Sequence, residues 1–292
     1  MSIRLGAKLP HTGPLAVRLG LDRMAQRLEN AGFDSIWVSD HVVFPHEVRS
    51  RYPFAPDGRV TWPLDVDYIE PVVALSAIAP ATLKAEIGTS VLILPMRNPV
   101  LFAKQAACVD VLSRGRLVLG VGVGWLREEF AALEADFDRR GAVLDEWLEI
   151  ARACWTGSAG PYRGRYYRLE EPVYCRPVPA RMPPVLIGGM SRLALERAGR
   201  TADGWVAQFS MDGIEEDAIA AGLRTIRAAC AQPEKAFRVV VRVTGAERRP
   251  AELARRLDSL AASGATDVVI DVDWNSDDGA ARALETLRTA VA

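Results

Sequence analysis

Residues 184–205 read PVLIGGMSRLALERAGRTADGW. Residues 185–187 have the composition of a short buried strand. Gly188-Gly189 ends it, residues 191–200 read as a helix, and 204–208 as the next strand. A strand, a helix and a further strand in this order form the repeating unit of a parallel sheet. The same alternation extends in both directions. Upstream, strands are expected at 3–9, 35–38, 85–92 and 117–121, with helices at 15–31 (stopped by Gly32), 71–79 (broken at Pro80), 99–112 (Pro99 in its first turn) and 140–155. Downstream, strands at 237–244 and 268–271 are joined by helices at 214–230 and 250–263, and a helix at 279–290 closes the chain. Eight strands alternating with eight helices predict an α/β fold, a closed (β/α)8 TIM barrel. An open doubly wound sheet is the other arrangement with this alternation, but no GxGxxG follows the first strand. A loop from about 41 to 68 and a hairpin-like insertion near 157–182 interrupt the rhythm. No Pro/Ser-rich linker divides the chain, so residues 1–292 are expected to form a single domain.

Composition narrows the function classes. The 36 basic and 37 acidic residues leave a formal net charge of -1, which argues against a nucleic-acid binder working by bulk charge. No apolar run reaches the length of a membrane span. Residues 1–9 carry no signal-type apolar region. The four cysteines, Cys108, Cys154, Cys175 and Cys230, lack CxxC spacing and read as reduced thiols, so a cytoplasmic protein is expected. The three histidines, His11, His41 and His46, form no metal-ligand motif, and no metal is expected.

Chemistry in a barrel of this kind sits at the C-terminal ends of the strands. Those positions carry Lys8 and His11 after the first strand, Asp40-His41 after the second, Arg97-Asn98 after the third, Gly122, Gly124 and Trp125 after the fourth, Gly188–Arg192 after the fifth and Gln208 after the sixth. His41 could move a proton near neutral pH. Asp40 should point to the other side of the extended backbone and bond a ligand or loop. Equally, both could cap the strand. Glycines 120, 122 and 124 either clear space for a backbone or flat ligand or make a tight strand-to-helix turn. Gly188-Gly189-Met190-Ser191-Arg192 reads as an anion site at a helix start, or as an ordinary turn with Ser191 as N-cap. Trp62, Tyr52 and Phe54 either cover a ligand or pack the loop onto the barrel. His11, Trp125 and Trp62 are candidates for the substrate pocket.

Several blocks, taken in order, resemble the luciferase-like monooxygenase superfamily: AGFDSIWVSDHV (31–42), IGTSVLILPMRNP (87–99), LSRGRLVLGVGVGW (112–125), PVLIGGMS (184–191) and AGRTADGW (198–205). GVGVGWLREEF (120–130) and DFDRRGAVLDEWL (136–148) are similar to the actinobacterial branch that uses the deazaflavin coenzyme F420. The resemblance implies a catalytic His41. It also implies coenzyme contacts from Asp40, Ser90, Val91, Gly122, Gly188, Gly189, Ser191 and Arg192. Ser90-Val91 would be a cis bond bulging against the ring, and the chain would form a homodimer. Trp125 stands where sugar-phosphate dehydrogenases of the family place a catalytic glutamate, and Ile93 replaces a coenzyme-contacting threonine. Glucose-6-phosphate oxidation is therefore not expected. A carboxylate base would have to come from elsewhere, with Glu128 and Glu129 nearby but expected to turn outward. The resemblance implies an F420-dependent oxidoreductase transferring a hydride to or from a small-molecule substrate. An FMN-dependent monooxygenase and a ligand-binding barrel without turnover are the alternatives.

Overall fold

The computed structural model describes residues 3–55 and 57–289. Eight parallel strands close into a barrel: β1 (Arg4–Lys8), β2 (Ser35–Val38), β3 (Glu86–Ile93), β4 (Leu117–Gly122), β5 (Val185–Gly188), β6 (Gly204–Ser210), β7 (Arg238–Thr244) and β8 (Asp267–Ile270). Neighbours in sequence are neighbours in the sheet, and β8 closes onto β1 through Arg4↔Asp267 to Ala7↔Ile270. The TIM barrel expected from the alternation is the fold observed. Within 157–182 the chain folds back through two small antiparallel pairs, Ser158–Ala159 with Val173–Tyr174 and Tyr162–Arg163 with Arg168–Leu169.

Side chains fill the barrel's interior, as the fold requires. Trp37, Val118, Leu186, Val206, Val240 and Val269 form one buried cluster. The Trp37 indole needs more room than a uniform apolar layer gives. Glycines on both flanking strands supply it: a Cβ at Gly6 would lie 2.9 Å from Trp37 Nε1, and one at Gly88 would lie 3.0 Å from Trp37 Cζ3. At the N-terminal end of the barrel, Glu86 pairs with Arg4 (2.8 Å) and Arg238 (2.9 Å), and Arg238 pairs with Asp267 (2.6 Å). These charges start four strands and tie that end shut, leaving the other end for chemistry.

The largest departures from the expected boundaries lie in three of the helices. The segment 15–31 is two helices, Gly13–Leu19 and Leu21–Ala31, parted at Gly20 with φ +79°. Pro80 does not break its helix, which spans Pro71–Ala81. It sits in the last turn, where the missing N–H removes one terminal bond, and Thr82 Oγ1 donates to the Ile78 carbonyl (3.1 Å) just beyond. The segment 250–263 is likewise divided into Pro250–Ala254 and Leu257–Ala262. The last helix is Gly279–Thr289; Ala290 lies outside the described residues. No helix among the described residues is long and apolar enough to cross a membrane.

Candidate active site

The C-terminal ends of the strands surround a cavity of about 290 Å3 whose walls include His41, Ser90, Val91 and Trp125. Asp40 and His41 follow the end of β2, and both line this cavity through different partners. Asp40 is buried, and its carboxylate accepts from the Ile93 amide (2.7 Å) and from both Arg97 Nη atoms (2.6 and 2.8 Å). Arg97 also donates to Glu70 Oε1 (2.8 Å). Burial works against the Arg97 charge, but the Asp40 carboxylate, backed by Glu70, outweighs it and raises the guanidinium above its usual range. Asp40 thus joins the ends of β2 and β3. It lines the cavity, but its oxygens are already engaged.

His41 is held by a carboxylate that sequence reasoning turned the wrong way. Glu129 does not face outward: it is 2% exposed and lies on the short helix Arg127–Ala132. Its Oε2 is 2.9 Å from His41 Nδ1, and its Oε1 accepts the amides of Val42 (2.5 Å) and Val43 (3.2 Å). An ionised carboxylate can only accept, so the neutral imidazole carries its proton on Nδ1 and leaves Nε2 free. The preceding residue does a parallel job for the loop above. Glu128 accepts from the amides of Arg49 (2.7 Å) and Ser50 (3.0 Å) and from the Ser50 hydroxyl (2.6 Å). A helix of only six residues shows too little periodicity for either direction to be read from sequence.

The loop roofs the mouth with aromatic rings. Tyr52 meets Trp62 edge-on at 4.8 Å and Trp125 at 5.2 Å. Trp62 and Trp125 line the cavity, as expected of pocket candidates, and the same contacts pack the loop onto the barrel. A second cavity of about 590 Å3 shares Tyr52, Phe54, Trp62, Gln208 and Thr244 with the first.

The third candidate, His11, is corrected by the structure. It has no exposed surface and lies outside the cavity wall. Its Nε2 donates to the Ser39 carbonyl (2.9 Å), with the Leu9 carbonyl 3.3 Å from Nδ1. Burial first, and the Lys8 charge second, push its pKa down to about 3. His11 is a neutral strut between the ends of β1 and β2.

Ser90-Val91 is a cis peptide, as expected, and the β3–β4 register shifts between Thr89 and Leu92. Two of the glycines are explained by this bulge. A Cβ on Gly122 would lie 2.6 Å from Val91 Cγ2, and one on Gly188 would lie 2.5 Å from Val91 Cγ1. Both clear space for the Val91 side chain, which stands between them and the mouth. The absence of a side chain at Gly122 and Gly188 is thus explained by Val91. The buried Ser90 hydroxyl has no hydrogen-bond partner in a residue that lines the cavity.

At the fifth strand, Gly189 has φ +122°, a conformation that favours glycine, and its carbonyl accepts from Trp205 Nε1 (2.8 Å). Ser191 is the N-cap of helix Arg192–Thr201, its hydroxyl accepting the Ala194 amide (3.3 Å). The first amides of the helix keep no intrahelical acceptor. Arg192 is 86% exposed along its side chain and pairs with Glu196 (2.7 Å). Beside these amides, the Arg192 guanidinium at the start of the helix lies at the surface.

Two cations in the mouth had no assigned role in the sequence. Arg242, from the middle of β7, donates to Asp271 (2.5 Å) and to the Val243 carbonyl (2.6 Å). Lys8, at the end of β1, lines the same cavity. Burial pushes its ammonium down to about 8, assisted by Arg242 and opposed by Asp271. A charged residue within the apolar run 238–244 was the available signal for Arg242. Among the described residues, no group of three His, Cys, Asp or Glu side chains is placed to hold a metal.

This is a barrel with a polar, aromatic-roofed mouth at its C-terminal end, the class of scaffold that hosts enzymes there. Residues 10–288 match the Luciferase-like monooxygenase family, and the chain belongs to it. An uncharacterized protein of Mycobacterium tuberculosis is 35% identical over 183 residues, covering 63% of each chain. An F420-dependent glucose-6-phosphate dehydrogenase of Amycolatopsis mediterranei is 34% identical over 188 residues, covering 62% of this chain and 51% of the relative. The matched segments thus span less than two thirds of these curated relatives. Among solved structures, an F420-dependent secondary alcohol dehydrogenase in complex with an F420-acetone adduct superposes with TM-score 0.76 at 16% identity, covering 99% and 100% of the two chains. The EDTA monooxygenase EmoA of Chelativorans sp. BNC1 superposes with TM-score 0.77 at 14% identity, covering 100% and 94%. At these identities the likeness is one of fold.

Proposed function

We propose that the chain is an F420-dependent oxidoreductase that transfers a hydride between the coenzyme and a small organic substrate in the mouth cavity. The observation that carries the reading is the His41–Glu129 pair, whose free imidazole nitrogen belongs to the residue walling the same cavity as Ser90 and Val91. The residues suit a flat coenzyme with an anionic tail. Val91 gives an apolar face, the Ser90 hydroxyl is an unused polar group beside it, and the first amides of the helix that Ser191 caps are donors for a phosphate. When bound, the deazaflavin supplies the hydride chemistry. His41 Nε2 accepts or returns the proton on the substrate's heteroatom. Glu129 fixes the ring and its tautomer, and the Tyr52–Trp62–Trp125 roof keeps water from the reacting atoms. The relationship to a dehydrogenase that uses F420 supports the choice of coenzyme. Trp125, at the glutamate position of that group, directs the reading away from glucose 6-phosphate. The homodimer belongs to the same reading, and light scattering tests it.

The test is a pair of titrations of the purified protein with oxidised F420 and with FMN, followed by fluorescence. Tight F420 and weak FMN binding is the expected result. The reverse preference would instead favour an oxygen-using monooxygenase, and binding of neither would overturn the reading. With F420 bound, His41→Ala should lower turnover about 100-fold or more while leaving coenzyme affinity unchanged.

A further inference from the structure

The proton chemistry proposed above uses His41 and Glu129 and leaves the β1 and β7 wall of the mouth without a task. That wall is cationic. Arg242 is 5% exposed, and Asp271 neutralises it through the 2.5 Å contact. Lys8 has no hydrogen-bond acceptor and no ion pair among the described residues, although Asp271 is near enough to act on its charge. Of the other charges nearby, Asp40 pairs with Arg97, and Glu129 is buried against His41 and two amides, outside the cavity lining. Lys8, Arg242 and Asp271 therefore sum to one unmatched positive charge, carried by a flexible ammonium that lines the cavity.

Cations removed from bulk water are normally paired, because desolvating them alone is costly. A lysine that lines a cavity and has no acceptor of its own among the described residues is matched when an anion enters it. A single positive excess suits a monoanion better than a phosphate dianion. Gln208, which lines the same cavity and bonds Tyr52, adds a neutral amide to its polar groups.

We infer that Lys8, in a cavity that Gln208 also lines and with Arg242 fixing the charge of the wall, forms a carboxylate subsite that selects substrates bearing one carboxylate group. Its catalytic consequence rests on the proposed hydride transfer, but the binding does not, so it is measured without coenzyme. The probes are benzoate and its neutral counterpart benzamide, titrated against the whole protein and followed by fluorescence of Trp62 and Trp125, which line the cavity. Benzoate should bind about 10- to 100-fold more tightly than benzamide, the range of one charge-assisted hydrogen bond. Lys8→Met should erase that preference while leaving the thermal midpoint equal or higher, since it replaces an unpaired buried charge with an apolar chain of similar length.

Equal binding of the two probes would overturn the subsite, and this comparison stands even if Lys8→Met fails to fold. Retention of the benzoate preference in a folded Lys8→Met protein would overturn it too. Loss of F420 affinity in Lys8→Met, with wild type indifferent to benzoate, would assign the ammonium to the coenzyme and overturn a substrate role. Benzoate selectivity in a protein that binds neither F420 nor FMN would refute the hydride reading and leave the subsite standing.

Discussion

Acidification should unfold this protein through His11 over a defined pH window. In the folded chain the imidazole is sealed between β1 and β2, and burial, with the nearby Lys8 charge, lowers its pKa from 6.5 to about 3. In the unfolded chain it titrates near 6.5. Between these values the unfolded state holds a proton that the folded state refuses, so stability rises with pH and is lost as pH falls. The contribution is complete above pH 6.5, declines by about 1.4 kcal/mol per pH unit below it, and totals about 5 kcal/mol near pH 3. That is a large part of the stability of an ordinary domain. The assay is urea unfolding by circular dichroism at half-unit pH steps from 7.5 to 4, on wild type and on His11→Gln. Glutamine keeps a donor for the Ser39 carbonyl and does not titrate. Subtracting the two curves cancels the carboxylates common to both proteins. A difference that grows from zero at pH 7 to about 3 kcal/mol at pH 4.5 is expected. Parallel curves would refute the buried neutral histidine.

Glu129→Gln should lower turnover about 100- to 10,000-fold with little change in coenzyme affinity. Its carbonyl would remain with the Val42 and Val43 amides, turning an NH2 toward His41 and driving the ring proton to Nε2; an equal loss of affinity measured by titration would contradict this. Arg97→Met should destabilise by about 3–5 kcal/mol in urea unfolding, because Asp40 is left buried without its cation. A loss within measurement error would mean that the Ile93 amide alone holds it. Gly188→Ala should destabilise by about 1–3 kcal/mol by driving a methyl into Val91, and Val91→Ala in the same chain should recover most of that; additive effects in the double-mutant cycle would show that the two positions are not in contact.

The barrel was legible because its signals are local and repeated. Residues 35–38 and 99–112 fall where their composition puts them, the second with Asn98 as N-cap, accepting from Val100 and Leu101. Gly20 was missed because apolar spacing continues across it, although its positive φ parts two helices. At the site, strand-end logic found Asp40, His41 and Trp125, and the family resemblance pointed to Ser90 and Val91; all five line one cavity. It failed for Glu129, whose helix is too short to reveal a face. It failed for His11, which is buried beyond the end of β1, where proximity in sequence to a strand end does not decide which way a side chain leans. Gly122 was flagged for clearing space and Gly188 as part of an anion-binding turn; at both positions a Cβ would meet the protein's own Val91.

The consecutive carboxylates of Glu128 and Glu129 carry a mechanical consequence. One grips the roof loop at Arg49 and Ser50, the other the imidazole and the backbone that follows it, and a single rigid turn of helix carries both. Such a turn acts as a rocker arm. Any swing of the roof that pulls on Ser50 is transmitted to the ring of His41, so the aromatic cover and the proton-handling nitrogen keep a common timing rather than moving as separate parts.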